Sequence, residues 1–136
     1  MNSWSLTFRE CVDYSRFDEI TVDIGLISSA SFVELDAKVD TGSRFCIFQP
    51  SIAEKLELDL LSGVPKRMRT AAGSFPAYGH EITLVVYNLE WQTTVFFAEP
   101  EDFPVNVVGR IGFLDHLRVG LIDYEQLLYL DSYEAA

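Results

Sequence analysis

Apolar and polar positions alternate along most of this chain with a period of two, the period of a strand with one buried face. Residues 20–27 (ITVDIGLI) and 32–39 (FVELDAKV) show it most clearly. Ser28-Ser29-Ala30-Ser31 between them predicts a β-hairpin with Ile20, Val22, Ile24 and Leu26 on one face. Residues 3–9 (SWSLTFR) alternate well enough for another strand, and 45–48 (FCIF) are apolar throughout, as in a short strand buried on both faces. The period then lengthens. Pro50 opens a stretch in which Ile52, Leu56 and Leu60 keep a four-residue spacing, predicting a short helix over 50–57.

Beyond the helix the strand pattern returns at 65–72, 79–87 and 92–99. The small, turn-rich run AAGSFPAYG (71–79) reads as a hairpin tip, and Asn88-Leu89 as the next turn. Residues 105–108 (VNVV) run into Gly109, and RIGFLDHL follows with a weak helical pattern. Strands at 117–123 and 127–131, joined by a turn at Tyr124–Gln126, close the chain. These elements predict a single mostly-β domain, a small closed or half-closed barrel with one or two short helices. Residues 1–19 read as an N-terminal extension or edge strand.

Composition narrows the class. The 136 residues are 49% hydrophobic and 13% aromatic, enough for a core without metal or disulfide. Net charge is −11 with Lys and Arg scattered along the chain, which argues against a nucleic-acid or anionic-membrane partner. No apolar run reaches the length of a membrane span, and MNSWSLTFRE lacks the pattern of a secretory signal. Cys11 and Cys46 have no metal-type spacing and are expected as free thiols of a cytoplasmic protein. His80 and His116 stand 36 residues apart, so neither is expected to bind a metal, and no cofactor is expected. Lys66, Arg67 and Arg69 read as a solvated strand face, Glu99, Glu101 and Asp102 as an exposed loop, and Trp4 and Trp91 as packing residues at sheet edges.

Chemistry concentrates at Asp40-Thr41-Gly42-Ser43. Taken alone, this is a tight turn: Asp bonds its own turn and Gly accepts unusual backbone angles. Its flanks, ELDAKV and FCIF, are apolar enough to put Asp40 in the interior, where a carboxylate must be bonded or paired. VNVVGR (105–110) then brings two apolar residues before Gly109, and the 71–79 hairpin lies between the two elements in chain order.

Together these features resemble the retropepsin-like aspartic proteases, the retroviral proteases and their bacterial and eukaryotic relatives. The resemblance covers about residues 20–131, and VVGRIGFLDHLRVGLID closely resembles the family's stretch from the apolar-apolar-glycine motif onward. It implies a small acid-protease barrel and hydrolysis of peptide or protein substrates by two carboxylates sharing one proton. One Asp-Thr-Gly loop per chain then implies a two-fold homodimer in which Asp40 meets Asp40 of a second copy. By the same resemblance Thr41 bonds across the axis, the Gly42 N–H bonds the carboxylate, and Ser43 bonds the outer oxygen of Asp40. Val107, Val108 and Gly109 pass beneath the loop, and Ala71, Ala72, Gly73 and Ser74 form a flap over an extended substrate. One feature departs from the retroviral pattern. An acidic residue four positions after the catalytic Asp pairs there with the Arg after the later glycine; this chain has Arg44 and Arg110. Two rival readings stand beside the peptidase: a catalytically silent dimeric peptide-binding or scaffold module, and a plain barrel whose Asp-Thr-Gly-Ser is only a turn.

Overall fold

A computed structural model describes residues 2–71 and 73–133. Ten strands account for most of the chain: β1 (Glu10–Asp13), β2 (Thr21–Ser28), β3 (Ser31–Val39), β4 (Ile47–Phe48), β5 (Val64–Thr70), β6 (Gly73–Val86), β7 (Leu89–Ala98), β8 (Val107–Val108), β9 (Leu117–Ile122) and β10 (Leu127–Ser132). Among the described residues one α-helix, α1 (Pro50–Lys55), and three single 3-10 turns interrupt them.

The hairpin of β2 and β3 forms as the alternation requires, in register from Thr21 opposite Lys38 to Ser28 opposite Ser31. Val22, Ile24 and Leu26 face the core and are fully or almost fully buried. From this hairpin the sheet runs β2-β3-β8-β4-β7-β6-β5, and β6 also pairs back onto β2, so six strands close into a ring. Two parallel pairings, β3 with β8 and β4 with β7, are the places where distant segments join. A second, three-stranded sheet, β1-β10-β9, is antiparallel throughout. It contributes Val12, Leu128 and Leu130 to the core that Leu84, Val95 and Phe97 fill from the ring and Phe113 from the segment between β8 and β9.

Several boundaries depart from the periodicity. Residues 3–9 form no strand: Trp4 is 90% exposed and Leu6 64%, and pairing starts only at Glu10, where β10 offers a partner. Trp4 is therefore not a packing residue. The helix stops at Lys55, because Glu57 takes a left-handed φ of 59° and turns the chain away. Tyr87, at φ 54°, moves the next turn one residue earlier than Asn88-Leu89.

The largest correction concerns 71–79. Only the tip lies between Thr70 and Gly73, which pair directly; Gly73 to Gly79 is the outer half of the fourteen-residue strand β6. Its inner half belongs to the ring, and its outer half carries β5 as an overhanging hairpin. Between hairpin and ring lies a second apolar cluster of Ile47, Met68, Ala77 and Ala98, with Phe45, Phe75, Phe96 and Phe103 packed against it. Among the described residues no helix is long and apolar enough to cross a membrane.

Candidate active site

The Asp40 loop leaves β3 at Val39 and crosses over β8. Each root is pinned by the backbone. Asp40 N–H donates to the Val108 carbonyl (3.0 Å), Arg110 N–H to that of Ser43 (2.9 Å), and Ile111 N–H to that of Arg44 (2.8 Å). Gly109 sits at the crossing. A Cβ there would stand 2.4 Å from the Ser43 carbonyl oxygen and 2.5 Å from that of Phe45, so only glycine lets the two segments touch. Cys46 fills the remaining space: it is fully buried, accepts the Gly109 N–H at 3.4 Å and donates to the Ile111 carbonyl at 3.5 Å. Burial pushes its thiol up to about 12, well outside the reactive range.

With its backbone held from beneath, the loop aims its acid outward. Ser43 N–H donates to the Asp40 carbonyl (3.1 Å), which closes a turn, and Gly42 N–H donates to Asp40 Oδ1 at 2.9 Å. The loop is thus a tight turn and a carboxylate mount at once. Two expectations are corrected. Asp40 is half-buried, since Thr41 and Gly42 stand exposed on its open side. The Ser43 hydroxyl donates to the Phe45 carbonyl at 2.8 Å, so it tightens the loop and makes no bond to Asp40.

Asp40 opens into a groove of about 1280 Å³ that runs between the loop and the β5–β6 hairpin. Gly42 and Ser43 line it beside the acid; Ala71, Gly73 and Ser74 line it from the hairpin; Val107 lines it from below. Ala72 lies outside the described residues, and Val108 and Gly109 are buried behind the loop. The groove's apolar surface comes from Phe45, Ile47, Met68, Phe75, Phe103 and Val105. Periodicity had not pointed to these, although the lone Met68 within a polar strand is a signal in retrospect: it is 3% exposed while its neighbours face water. Lys66, Arg67 and Arg69, read from sequence as a solvated face, are exposed and also line this groove.

Lys38, two residues before the acid on β3, is held charged above its ordinary range. The cause is chiefly its hydrogen bond and ion pair with Glu19 (2.8 Å), with Asp40's charge adding a smaller share. Arg44 and Arg110 are both exposed and form no ion pair with any described residue. Among the described residues no cluster of three or more His, Cys, Asp or Glu side chains could hold a metal ion.

A ring of strands, an Asp-Thr-Gly turn braced by an apolar-apolar-glycine strand and an overhanging hairpin together define a retropepsin-like fold. Solved structures share it. A retropepsin-like aspartic protease from Rickettsia conorii superposes with a TM-score of 0.68 at 17% identity, covering 90% of this chain and 97% of that one. The EIAV protease in complex with the inhibitor HBY-793 superposes with a TM-score of 0.56 at 18% identity, covering 73% and 88%. No curated protein sequence matches the chain. The family profile described as aspartyl protease matches residues 30–110, more than half its length, and the chain belongs to that family.

Proposed function

We propose that two copies of this chain form an aspartic endopeptidase in which Asp40 of each supplies one carboxyl of the catalytic pair. The observation that carries this reading is the Asp40 carboxylate itself: held at Oδ1 by the Gly42 N–H, half-open, and facing a long groove under a hairpin. One chain carries one such loop, so the second carboxyl comes from a second copy. Two carboxyls about 3 Å apart cannot both ionise, and aspartic proteases are the established case of a pair that shares one proton. The ionised member removes a proton from a water molecule as its oxygen attacks the scissile carbonyl carbon. The protonated member gives its proton to the carbonyl oxygen. The tetrahedral diol then collapses as the first carboxyl passes its proton to the departing nitrogen and a diol hydroxyl returns a proton to the second carboxylate, which frees the acid product and restores the singly protonated pair.

The remaining residues have supporting parts. Thr41 bonds across the two-fold axis, Gly42 orients the carboxylate, and Ser43 stiffens the loop. Val107, Val108 and Gly109 hold it from below. The hairpin tip (Ala71, Ala72, Gly73, Ser74) closes over a peptide that adds as a strand, with side chains in alternating pockets.

The test is cleavage of a diverse peptide mixture at about pH 4 to 7, with products read by mass spectrometry and wild type set against Asp40→Asn. Cleavage by wild type alone, with sedimentation showing a dimer, supports the reading. A strict monomer, or equal cleavage by the variant, overturns it. Peptide binding by a dimer that never cleaves assigns the fold to the silent binding module instead.

A further inference from the structure

Basic residues are scarce in this chain and unevenly placed. It has 10 Lys and Arg against 21 Asp and Glu. Five of the ten, Lys38, Arg44, Lys66, Arg67 and Arg69, line the Asp40 groove. Among the described residues only two acids, Asp40 and Asp102, do so. The groove therefore carries a local charge of +3, while the rest of the molecule carries −14. Twenty-two of the 136 residues line the groove, so chance placement would put fewer than two of the ten cations there.

Four of these cations are also uncommitted. Lys38 is paired with Glu19, but Arg44, Lys66, Arg67 and Arg69 form no ion pair with any described residue. Two of them flank one apolar seat: the Lys66 ammonium lies 5.0 Å and the Arg44 guanidinium 5.6 Å from the centre of the Phe45 ring. Phe45 is itself fixed edge-on against Phe96, with ring centres 5.2 Å apart. Cation–ring contact orients the two heads without neutralising them. Arg67 is steadied by Ser74 across the hairpin, Nη1 donating to Oγ at 3.3 Å. A strand laid in this groove would meet an apolar floor with cations at its rim on both the loop side and the hairpin side.

We infer that the groove selects acidic peptide segments, with Asp or Glu side chains beside the residue seated on Phe45. The inference rests on the peptidase reading for its reaction but on the groove's own charge for its specificity. A net charge of −11 does not prevent such a complex, because screening confines the repulsion of distant charges to about 8 Å at physiological salt, while the groove cations lie in direct contact.

The experiment measures binding and cleavage separately. Fluorescent peptides of one apolar-centred sequence, flanked by Glu, by the isosteric Gln or by Lys, are titrated against the full-length Asp40→Asn protein and digested by wild type. The Glu peptide should bind at least about tenfold more tightly than the Gln peptide at 20 mM salt, and the preference should shrink toward about twofold at 500 mM. Arg67→Glu/Arg69→Glu should abolish the preference, with circular dichroism confirming the fold; the salt series tests the same point without a variant. Equal binding of Glu and Gln peptides at low salt overturns the inference, and so does a single-stranded oligonucleotide that displaces the Glu peptide at lower concentration. Cleavage without acidic preference leaves the peptidase standing and removes the specificity. Acidic preference in binding with no cleavage does the reverse.

Discussion

Replacing Gly109 by Ala tests the crossing that mounts Asp40. The new methyl would lie 2.4 Å and 2.5 Å from two backbone oxygens, about 1 Å inside ordinary van der Waals contact. Backbone atoms cannot swing aside as a side-chain tip can, so β8 and the 43–45 segment must separate. Overpacking of this kind costs about 1–3 kcal/mol. Separation also stretches the Arg110–Ser43 and Ile111–Arg44 hydrogen bonds, at roughly 1 kcal/mol each. The expected loss is about 3–5 kcal/mol, a large part of a small domain's stability. In urea, with a slope near 2 kcal/mol/M for this size, the unfolding midpoint should fall by about 2 M. Gly42→Ala is the control: its Cβ would approach only the Asp40 side chain, at 3.2 Å, on an exposed turn, so its cost should stay within about 0.5 kcal/mol. A Gly109→Ala midpoint within about 0.3 M of wild type would refute the reasoning, because the two segments could not then be in contact.

Two further outcomes follow from buried groups. Asp131, almost fully buried on β10, is held below the usual carboxylate range first by the Arg9 side-chain hydrogen bond, against the opposing effect of burial. Its folded value lies below its unfolded one, so the stabilisation is complete at neutral pH and is lost as pH falls through about 4 and lower. Thermal melts from pH 7 to 2.5 should show wild type losing its advantage over Asp131→Asn in that window; a constant difference between them would rule the linkage out. Of the two cysteines, exposed Cys11 should react with a thiol reagent at pH 8, while Cys46 should react only after denaturation. Fast labelling of both in the native protein would mean that the Gly109 crossing opens.

The sequence made the β2–β3 hairpin legible because one face of each strand is buried, so register and periodicity agree. It made the Asp40 loop legible because Asp, Gly and the apolar flanks each answer a local need. It hid β6, for Gly73, Pro76 and Gly79 carry strong turn signals that pairing overrides. Gly79 is in the strand since the Phe96 ring lies over it, 3.0 Å from where a Cβ would sit. Pro76 lacks an N–H, and the one hydrogen-bonding group it keeps, its carbonyl, accepts the Glu99 N–H. The groove was hidden for a related reason. On β5 the pattern Lys66-Arg67-Met68-Arg69 is that of a solvated strand, and only the overhang of the hairpin turns these cations toward the acid loop.

What the fold fixes, and what the proposed function leaves to a second copy, divides cleanly at Asp40. Backbone hydrogen bonds from β8 and from residues 110 and 111 set the position of the loop, and the Gly42 N–H sets the rotation of the carboxylate. None of these contacts closes the outer side, where Thr41 and Gly42 remain exposed. A carboxylate so placed is positioned for chemistry yet open to water. Under the proposed function, the second carboxyl brings the shared proton, the exclusion of water and the clamp across the axis in one event, so catalytic competence arises with association. The uncommitted cations of the groove fit the same division. Under the same proposal they attract a substrate strand to each half, and the strand then lies across both.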